Sequence, residues 1–362
     1  MSKSRNNLPL PLKKSIQPPF PVDLIVPCPD GGLLLRYKGL EKVSRYDAGY
    51  NLQWTKDLGI LTQKFSHFEL TISPDGKFIG VHGPDGIRIY DDTGALLYNQ
   101  KHTPWQNFQS SEIYFSPTNS DGKNYIWFVE PSENNGGFLQ VLDASNFSLI
   151  DMCWEEDIDN HYSFHATPDK DKTFIQLAAG QDPSRLLQVQ LKDRRIVRIE
   201  LENLEEMIMA AFSPAGNEMI LTPHSVDDTV GIYSFPEIDL IAEIDQEALF
   251  EDISEHPADR FDKIDYSVSF LTPQIILAQT ETGRFLLIDR SSLEYIGELQ
   301  PEGCKIYGHD YDGKKTADPE NILGFGSEIW DSRITPSGQL FIIHTAGSIQ
   351  IYDLRLTLDF KD

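Results

Sequence analysis

The chain has 362 residues, of which 56 are acidic and 31 basic, so its formal net charge is −25. Hydrophobic residues make up 40% of the chain, which is enough for a sizeable core and excludes a wholly disordered protein. The acidic balance argues against nucleic acid and against anionic membrane as partners, because both require clustered Lys and Arg.

Residues 1–20 predict a basic, extended N-terminal arm that contains Lys3, Arg5, Lys13 and Lys14. Its prolines would break any helix, and it has no apolar run of signal-peptide length. No other stretch approaches the roughly 20 apolar residues that span a bilayer. Three scattered cysteines are too few for a disulfide framework or a paired-cysteine zinc site. We therefore expect a soluble, cytoplasmic protein.

Residues 21–362 are organised by a short internal repeat. Each copy has alternating apolar residues, then Ser or Thr, then Pro, often followed by Asp or Gly, as in ELTISPDGKFIGV at Glu69–Val81. The first copy has Cys28 in place of the hydroxyl residue. The anchor prolines of the seven copies are Pro29, Pro74, Pro117, Pro168, Pro214, Pro273 and Pro336.

Each copy predicts four strands. Period-two alternation indicates a half-buried strand, and Pro with Gly or Asp supplies the turn to a second, more apolar strand. In most copies a third strand ends in an aromatic or aliphatic residue followed by Asp, as in Tyr90-Asp91 and Leu142-Asp143, and a fourth strand follows. Four strands in about 40–50 residues correspond to one propeller blade. The predicted fold is all-β, a single propeller with seven four-stranded blades around a central channel.

Through this repeat the chain resembles the WD-repeat and related, divergent bacterial-type seven-bladed β-propellers. The resemblance covers roughly residues 21–357. The Gly-His dipeptide of the family is not found at the head of any repeat, and Tyr-Asp, Leu-Asp or Ile-Asp stands in place of the terminal Trp-Asp. Closure of the ring should use a strand from one terminus in the blade begun by the other, because closure removes exposed edges. Residues 354–360 and the N-terminal arm are both candidates.

Two insertions exceed the blade period. Residues 246–265 are acidic, and Ala248, Leu249, Phe250 and Ile253 predict a short amphipathic helix within them. Residues 301–326 are polar and glycine-rich, which predicts a long loop of functional importance. Asp310, Asp312, Asp318 and Asn321 do not follow EF-hand order, so a solvated turn is favoured there over a calcium loop.

The resemblance predicts a non-catalytic scaffold that binds a protein partner. The net charge would steer a basic partner toward it, and a role in solubility explains the same charge equally well. Aromatic residues at the entries to the inner strands and carboxylates of the first insertion are the predicted contacts. They are Phe68, Tyr162, Tyr266 and Trp330, with Glu251, Asp252 and Glu255. For the aromatic residues, plugging of the channel or packing over the inner strands is the favoured interpretation, and a contact role is the alternative. The oligomeric state and the face that binds are left open.

A divalent-metal-dependent hydrolase, similar to the lactonase-like propellers, is the alternative function. It requires acidic residues of the same entry loops to meet at one ion at the channel mouth. The candidate ligands are Asp23, Glu112, Glu206, Asp265 and Glu328, with His67, His161 and Asp331 nearby in the pattern.

Other chemistry has little support in the sequence. His161 and His165 would stand too far apart on a strand to chelate one ion. No Gly-x-Ser-x-Gly elbow, Walker loop or dinucleotide fingerprint is present. We therefore predict no cofactor and no catalytic residue.

Overall fold

In the computed structural model the fold is built almost wholly from antiparallel sheets. The structure describes residues 7–59, 68–105, 110–132, 136–155, 161–179, 182–201, 204, 206–223, 229–253, 262–316, 318, 322–335 and 337–356. These residues belong to two compact units. The central unit is Val22–Met207, and the terminal unit comprises Met1–Pro21 with Ile208–Asp362. The N-terminal arm carries two strands, β1 (Asn7–Leu10) and β2 (Leu12–Ile16).

The central unit consists of four antiparallel sheets in chain order, the last of which has a short parallel strand in addition. Sheet one contains β3 (Val22–Pro27), β4 (Leu33–Tyr37), β5 (Lys42–Tyr46) and β6 (Leu52–Asp57). Sheet two contains β7 (Glu69–Ile72), β8 (Phe78–Gly83), β9 (Gly86–Asp91) and β10 (Leu96–Lys101). Sheet three contains β12 (Tyr114–Phe115), β13 (Tyr125–Ser132), β14 (Gly136–Asp143) and β15 (Leu149–Glu155). Sheet four contains β11 (Ser110–Ser111), β16 (His161–Ala166), β17 (Lys172–Ala179), β18 (Asp182–Lys192) and β19 (Arg195–Glu200).

The terminal unit contains three larger sheets, a small sheet and one helix. Sheet five contains β20 (Met207–Phe212, which begins at the last residue of the central unit), β21 (Glu218–Pro223), β22 (Thr229–Ser234) and β23 (Leu240–Asp245), and helix α1 (Gln246–Ile253) follows it. Sheet six contains β24 (Ile264–Thr272), β25 (Ile275–Thr280), β26 (Phe285–Asp289), β27 (Tyr295–Pro301) and β1. The small sheet contains β28 (Ile306–His309), β29 (Lys315–Thr316) and β30 (Gly324–Ser327). Sheet seven contains β31 (Ile329–Ile334), β32 (Gln339–His344), β33 (Ile349–Asp353) and β2, and a 3₁₀ turn at Leu354–Leu356 ends the described chain.

In five of the seven repeats the hydroxyl residue accepts the backbone N–H at the start of the second strand and so holds the turn between the first two strands. The Ser73 hydroxyl accepts the backbone N–H of Phe78 at 2.9 Å, and the Ser213 hydroxyl accepts that of Glu218 at 3.1 Å. Thr335 accepts the N–H of Gln339 in the same way at 3.0 Å. Within the first of these turns Gly76 has φ 74°, a conformation that glycine adopts without steric cost. The repeated Ser or Thr is therefore the residue that satisfies the N–H at the start of the second strand.

The Asp after the third strand holds the next turn. Asp91 accepts the backbone N–H groups of Thr93 and Ala95, at 3.0 and 2.8 Å. Asp143 and Asp289 accept N–H groups two residues further on in the same manner. Hydrogen bonds from the neighbouring hydroxyls and backbone lower the pKa of all three carboxyls. In the described residues these Asp side chains thus close tight turns.

Consecutive sheets of the central unit pack face to face. One cluster joins Leu34 and Val43 of sheet one to Ile79 and Val81 of sheet two. Similar clusters join sheet two to sheet three and sheet three to sheet four. Because both faces of the middle strands are covered, strands such as β4 are buried along their whole length, whereas the outer strand β6 is largely exposed.

The N-terminal arm supplies strands to two sheets of the terminal unit. Strand β2 pairs antiparallel with β33, with Leu12 opposite Tyr352 and Ile16 opposite Ile349. Strand β1 pairs in parallel with β27. The sequence did not decide which terminus supplies the additional strand of the last sheet. In sheet seven the N-terminal arm supplies it, as strand β2. Pro11 separates the two strands, which fits the proline-rich composition of the arm.

The two insertions differ in how well the sequence predicted them. Helix α1 was predicted, and its Leu249, Phe250 and Ile253 are buried in a cluster with residues of sheets five and six. It is only eight residues long, and no helix among the described residues is long and apolar enough to cross a membrane. Residues 301–326 were predicted as a loop, but they contain the small sheet, because β28 pairs with β30 over four residues.

A substitution of Leu10 can test how much the N-terminal arm contributes to the stability of the fold. Its side chain is fully buried (0% exposed) in a cluster with Leu277, Leu299 and Tyr352. We expect Leu10→Ala to lower the free energy of unfolding by about 2–5 kcal/mol, through lost burial and the cavity left behind. Leu52→Ala, at an exposed position on β6, is the control and should change it by less than about 0.5 kcal/mol. Equal urea-unfolding curves for the two variants would show that the arm is not held by this contact.

Candidate functional site

The predicted aromatic contact residues differ in exposure. Phe68 and Tyr162 are 2% and 5% exposed and belong to core clusters, so their side chains pack in the core and offer no contact surface. Packing over the inner strands, which the sequence favoured over a contact role, agrees with the burial of these two side chains. Trp330, on β31, is 60% exposed. The side chain of Tyr266 lies outside the described residues.

The acidic residues of the first insertion are only partly described. Glu251 lies on an exposed face of α1, which packs its apolar residues inward. The helix begins after Asp245, whose carboxylate accepts the backbone N–H of Ala248 at 3.0 Å. The side chain of Asp252 and the whole of Glu255 lie outside the described residues.

Large hydrophobic side chains are exposed along the second insertion and the strand that follows it. They are Ile306, Tyr311, Leu323 and Trp330, with Tyr311 90% exposed. We call these four residues the hairpin surface. Pairing of β28 with β30 holds the backbone beneath them. In addition, the backbone N–H of Lys305 donates a hydrogen bond to the Glu328 carboxylate at 3.2 Å. At the turn between β28 and β29, Asp310 accepts the N–H groups of Asp312 and Lys314, which agrees with the solvated turn favoured from the sequence.

Two carboxylates predicted as metal ligands in the central unit, those of Asp23 and Glu112, accept hydrogen bonds from other groups. Asp23 accepts a hydrogen bond from Arg36 Nε at 2.9 Å. Glu112 accepts the backbone N–H of Phe164, also at 2.9 Å. The backbone N–H of Glu206, a residue with φ 67°, donates to the carbonyl of Ser184. His161 Nδ1 and the hydroxyl of Ser110 share a hydrogen bond at 2.5 Å, while His67 lies outside the described residues.

In the terminal unit, Glu328 has basic neighbours: Lys315 Nζ at 3.9 Å and His344 Nε2 at 3.5 Å. Asp331 lies 3.4 Å from Arg333, and burial raises its pKa while Arg333 opposes the rise and Asp265 adds to it. Within the described ranges, no three His, Cys, Asp or Glu side chains are grouped so as to hold a metal ion. The structure therefore does not bring the predicted ligands together in either unit.

A buried histidine pair in the central unit was not singled out from the sequence. His102 Nδ1 donates to the carbonyl of Thr103 at 2.7 Å, so its Nε2 is left to accept from His82 Nε2 at 2.9 Å. The rings of Trp105 and Phe128 pack against His82, and its Nδ1 has no hydrogen-bond partner among the described residues. Burial lowers the pKa of both histidines, that of His82 strongly.

A cavity of about 240 Å³ in the central unit also escaped sequence analysis. It opens between the Ser73–Phe78 turn of sheet two and two turns of sheet three, at Gly122–Asn124 and Asp143–Ser145. We call it the turn pocket. Pro74, Phe78, Phe115 and Ala144 supply its apolar lining, and charged side chains stand around it. In the sequence the prolines of these turns were identified only as repeat anchors. A single repeat does not show which residues of a neighbouring repeat will lie beside it.

The histidine pair predicts a pH dependence of stability. The folded state disfavours protonation, whereas an unfolded histidine titrates near pH 6.5. The unfolded state therefore binds more protons below about pH 6.5, and stability falls as the pH drops, by at most about 1.4 kcal/mol per pH unit for each such histidine. We expect His82→Gln to reduce this loss between pH 7.5 and 5.5, measured by urea unfolding. His309→Gln is the control, and an unchanged slope in His82→Gln would refute the assignment.

Comparison with known proteins supports the fold alone. No protein-family model matches the chain, and no curated protein matches it. Among solved structures, the Dos1 propeller matches with a TM-score of 0.54 and 13% identity over 89% of this chain and 75% of that one. A chain from the crystal structure of the mitotic checkpoint complex matches with a TM-score of 0.57 and 11% identity, over 98% of this chain and 94% of that one. With the repeated four-stranded sheets, these similarities identify the fold as a β-propeller.

Proposed function

We propose that this protein is a cytoplasmic, non-catalytic interaction module that binds a protein partner through exposed propeller loops. The observation that carries the proposal is the hairpin surface. Its Tyr311 and Trp330 are 90% and 60% exposed, and Tyr and Trp are among the side chains that dominate binding energy at protein interfaces. The chain of the mitotic checkpoint complex that resembles this protein is an example of the fold within an assembly, and this supports the proposal.

We further propose seven blades. Seven sheets of four or five strands among the described residues and seven anchor prolines in the sequence support this number. The small sheet of residues 306–327 is then an insertion between the last two blades. Strand pairing on both sides of Tyr311, and of β31 with β32 at Trp330, would reduce the conformational entropy that these segments lose on binding.

We propose a basic partner. The net charge of −25 would steer a positively charged protein toward the module and raise its association rate. Glu251, exposed on α1, is a candidate contact, as are the acidic side chains at the hairpin turn. For the metal-dependent hydrolase the described residues offer no comparable support, because Asp23, Glu112 and Glu328 are each engaged with N–H groups or basic side chains.

The test is quantitative capture of partners from lysate by the immobilised wild-type protein and its variants, with binding of each captured protein then measured in purified form. We expect Trp330→Ala and Tyr311→Ala each to weaken binding by about tenfold or more, as for an interface hot spot. Leu52→Ala on β6 and Leu240→Ala on β23 are the controls. They remove exposed aliphatic side chains outside the hairpin surface and should leave binding unchanged.

Salt provides a second readout of the same experiment. A basic partner should bind more weakly at 0.5 M than at 0.05 M NaCl, because exposed charges are screened. Equal binding by Trp330→Ala, Tyr311→Ala and both controls would refute the hairpin surface as the interface. Binding that is insensitive to salt would refute the basic partner.

A further inference from the structure

We propose that the outer edge of sheet six, along β27, is a docking site for an extended Leu-Pro-Leu segment of the protein partner, and that β1 of the N-terminal arm occupies this site until the partner displaces it. This inference rests on the proposed function, because it assigns a second contact and a chemistry to the same partner. The residues that carry it all belong to the terminal unit.

Strand β1 is an addition to a sheet that has four strands without it. Strands β24, β25, β26 and β27 form an antiparallel sheet, and β1 pairs in parallel with the outermost of them. Strand β2, by contrast, is the fourth strand of sheet seven. The two halves of the arm therefore have different roles, and only β2 is needed to complete a four-stranded sheet. Addition of an extended segment to a sheet edge is a recurring mode of peptide recognition.

The edge of sheet six has the composition of a covered strand. Five of the seven residues of β27 are buried, whereas none is buried in β6 or β10, the outer strands of sheets one and two. Leu299 is 1% exposed, and Glu298 is 3% exposed and pairs with Arg284 at 2.9 Å. An uncovered apolar edge strand would invite non-specific pairing, so this edge requires an occupant.

The side chains of β1 show what the edge selects. Leu10 is fully buried in a cluster with Leu299, and Leu8 packs against the same cluster. Pro9 between them is exposed and lies opposite Gln300, which is also exposed. Proline is tolerated at such an edge position because its missing N–H can face solvent. The site thus takes two apolar side chains with a proline between them.

Glu302 contacts the backbone of the segment on both sides of Pro11. Its own N–H donates to the carbonyl of Leu10 at 2.9 Å, and its carboxylate accepts the N–H of Leu12 at 3.0 Å. Main-chain contacts of this kind supply affinity for an extended segment of any origin, and the buried leucine supplies the preference.

Strand β1 is held less firmly than β2. Its pairing with β27 covers four residues in parallel, and Pro9 on one strand and Pro301 on the other have no N–H to donate. Strand β2 has five residues, none of them proline, and pairs antiparallel with β33. Displacement of β1 can therefore leave β2 in its sheet.

The docking edge and the hairpin surface are close together along the chain. Strand β27 ends at Pro301 and β28 begins at Ile306. A partner that is bound at the hairpin surface would present its own segment to the edge at an effective concentration of about millimolar, as the tether does for β1. It can then compete with the arm.

The probe is a fluorescein-labelled hexapeptide with the sequence of the arm, Asn-Leu-Pro-Leu-Pro-Leu, and its relative has Ala in place of the second Leu. Fluorescence polarisation measures binding to the full-length wild-type protein and to Leu10→Ala, in which β1 has lost its buried anchor. We expect the peptide to bind Leu10→Ala more tightly than wild type by about tenfold or more, because the tethered strand competes less well. The Ala relative should bind Leu10→Ala about tenfold more weakly than the Leu peptide.

Leu34→Ala is the matched control for this assay. Leu34 is 0% exposed, as Leu10 is, but it lies on β4 of the central unit. This variant should bind the peptide as weakly as wild type. Thermal unfolding of each variant verifies that it is folded.

Disulfide trapping locates the peptide and keeps Leu10 intact, so it serves even if Leu10→Ala does not fold. The peptide has Cys in place of its first Pro, activated as a thiopyridyl disulfide, and the protein carries Gln300→Cys, opposite Pro9. Attack by the protein thiolate joins the peptide to the chain and releases thiopyridone. We expect Gln300→Cys to react about tenfold faster or more than Gln53→Cys, at an exposed position on β6, because only the first lies beside the docked peptide.

Three results would overturn the proposal: no peptide binding to folded Leu10→Ala, equal binding of the Leu and Ala peptides, or equal trapping by Gln300→Cys and Gln53→Cys. A wild-type dimer that the free peptide dissociates, seen by sedimentation, would also overturn it, because the occupant would then be the arm of a second copy. Peptide binding is measured without a partner and should be unchanged in Trp330→Ala. Failure here is therefore distinguishable from failure of the hairpin surface as an interface.

Discussion

The structure depends on a buried hydroxyl at the turn between the first two strands of a repeat. The Ser73, Ser116 and Ser213 side chains are buried or nearly so, and each accepts the N–H at the start of the second strand. An unsatisfied buried N–H would be costly, so this one contact aligns the first strand with the second and sets which side chains face the neighbouring sheet. The apolar clusters between sheets follow from that alignment.

The turns after the third strand of a repeat account for part of the acidity of the chain. Asp91, Asp143 and Asp289 accept backbone N–H groups after the third strand, and these hydrogen bonds lower their pKa. Their charge thus has a structural use before any partner is considered. Exposed acidic side chains outside such turns, such as Glu251 on α1, are the ones available to a basic partner. Net charge alone could not separate these two groups.

The candidate sites were predictable only where the local sequence decides exposure. Trp330 was predicted as a contact and is exposed, whereas Phe68 and Tyr162 carry the same pattern and are buried beneath neighbouring strands. The predicted metal ligands shared only their distance from a proline, and Asp23, Glu112 and Glu328 meet an Arg, a Lys or a backbone N–H that their own segments do not reveal. The turn pocket needs two repeats side by side, so no single copy of the motif indicates it.

The sequence by itself determined the repeated strands, their turns and helix α1, because period-two alternation, Ser/Thr-Pro turns and apolar spacing on a helix act over a few residues. Only the tertiary structure decided that the N-terminal arm, with β2 on β33 and β1 on β27, completes sheets near the other end of the chain. It also decided that residues 306–327 form a small sheet and that His82 and His102 meet in the core. These features join residues far apart in sequence, and their stability comes from pairing and burial that no local pattern records.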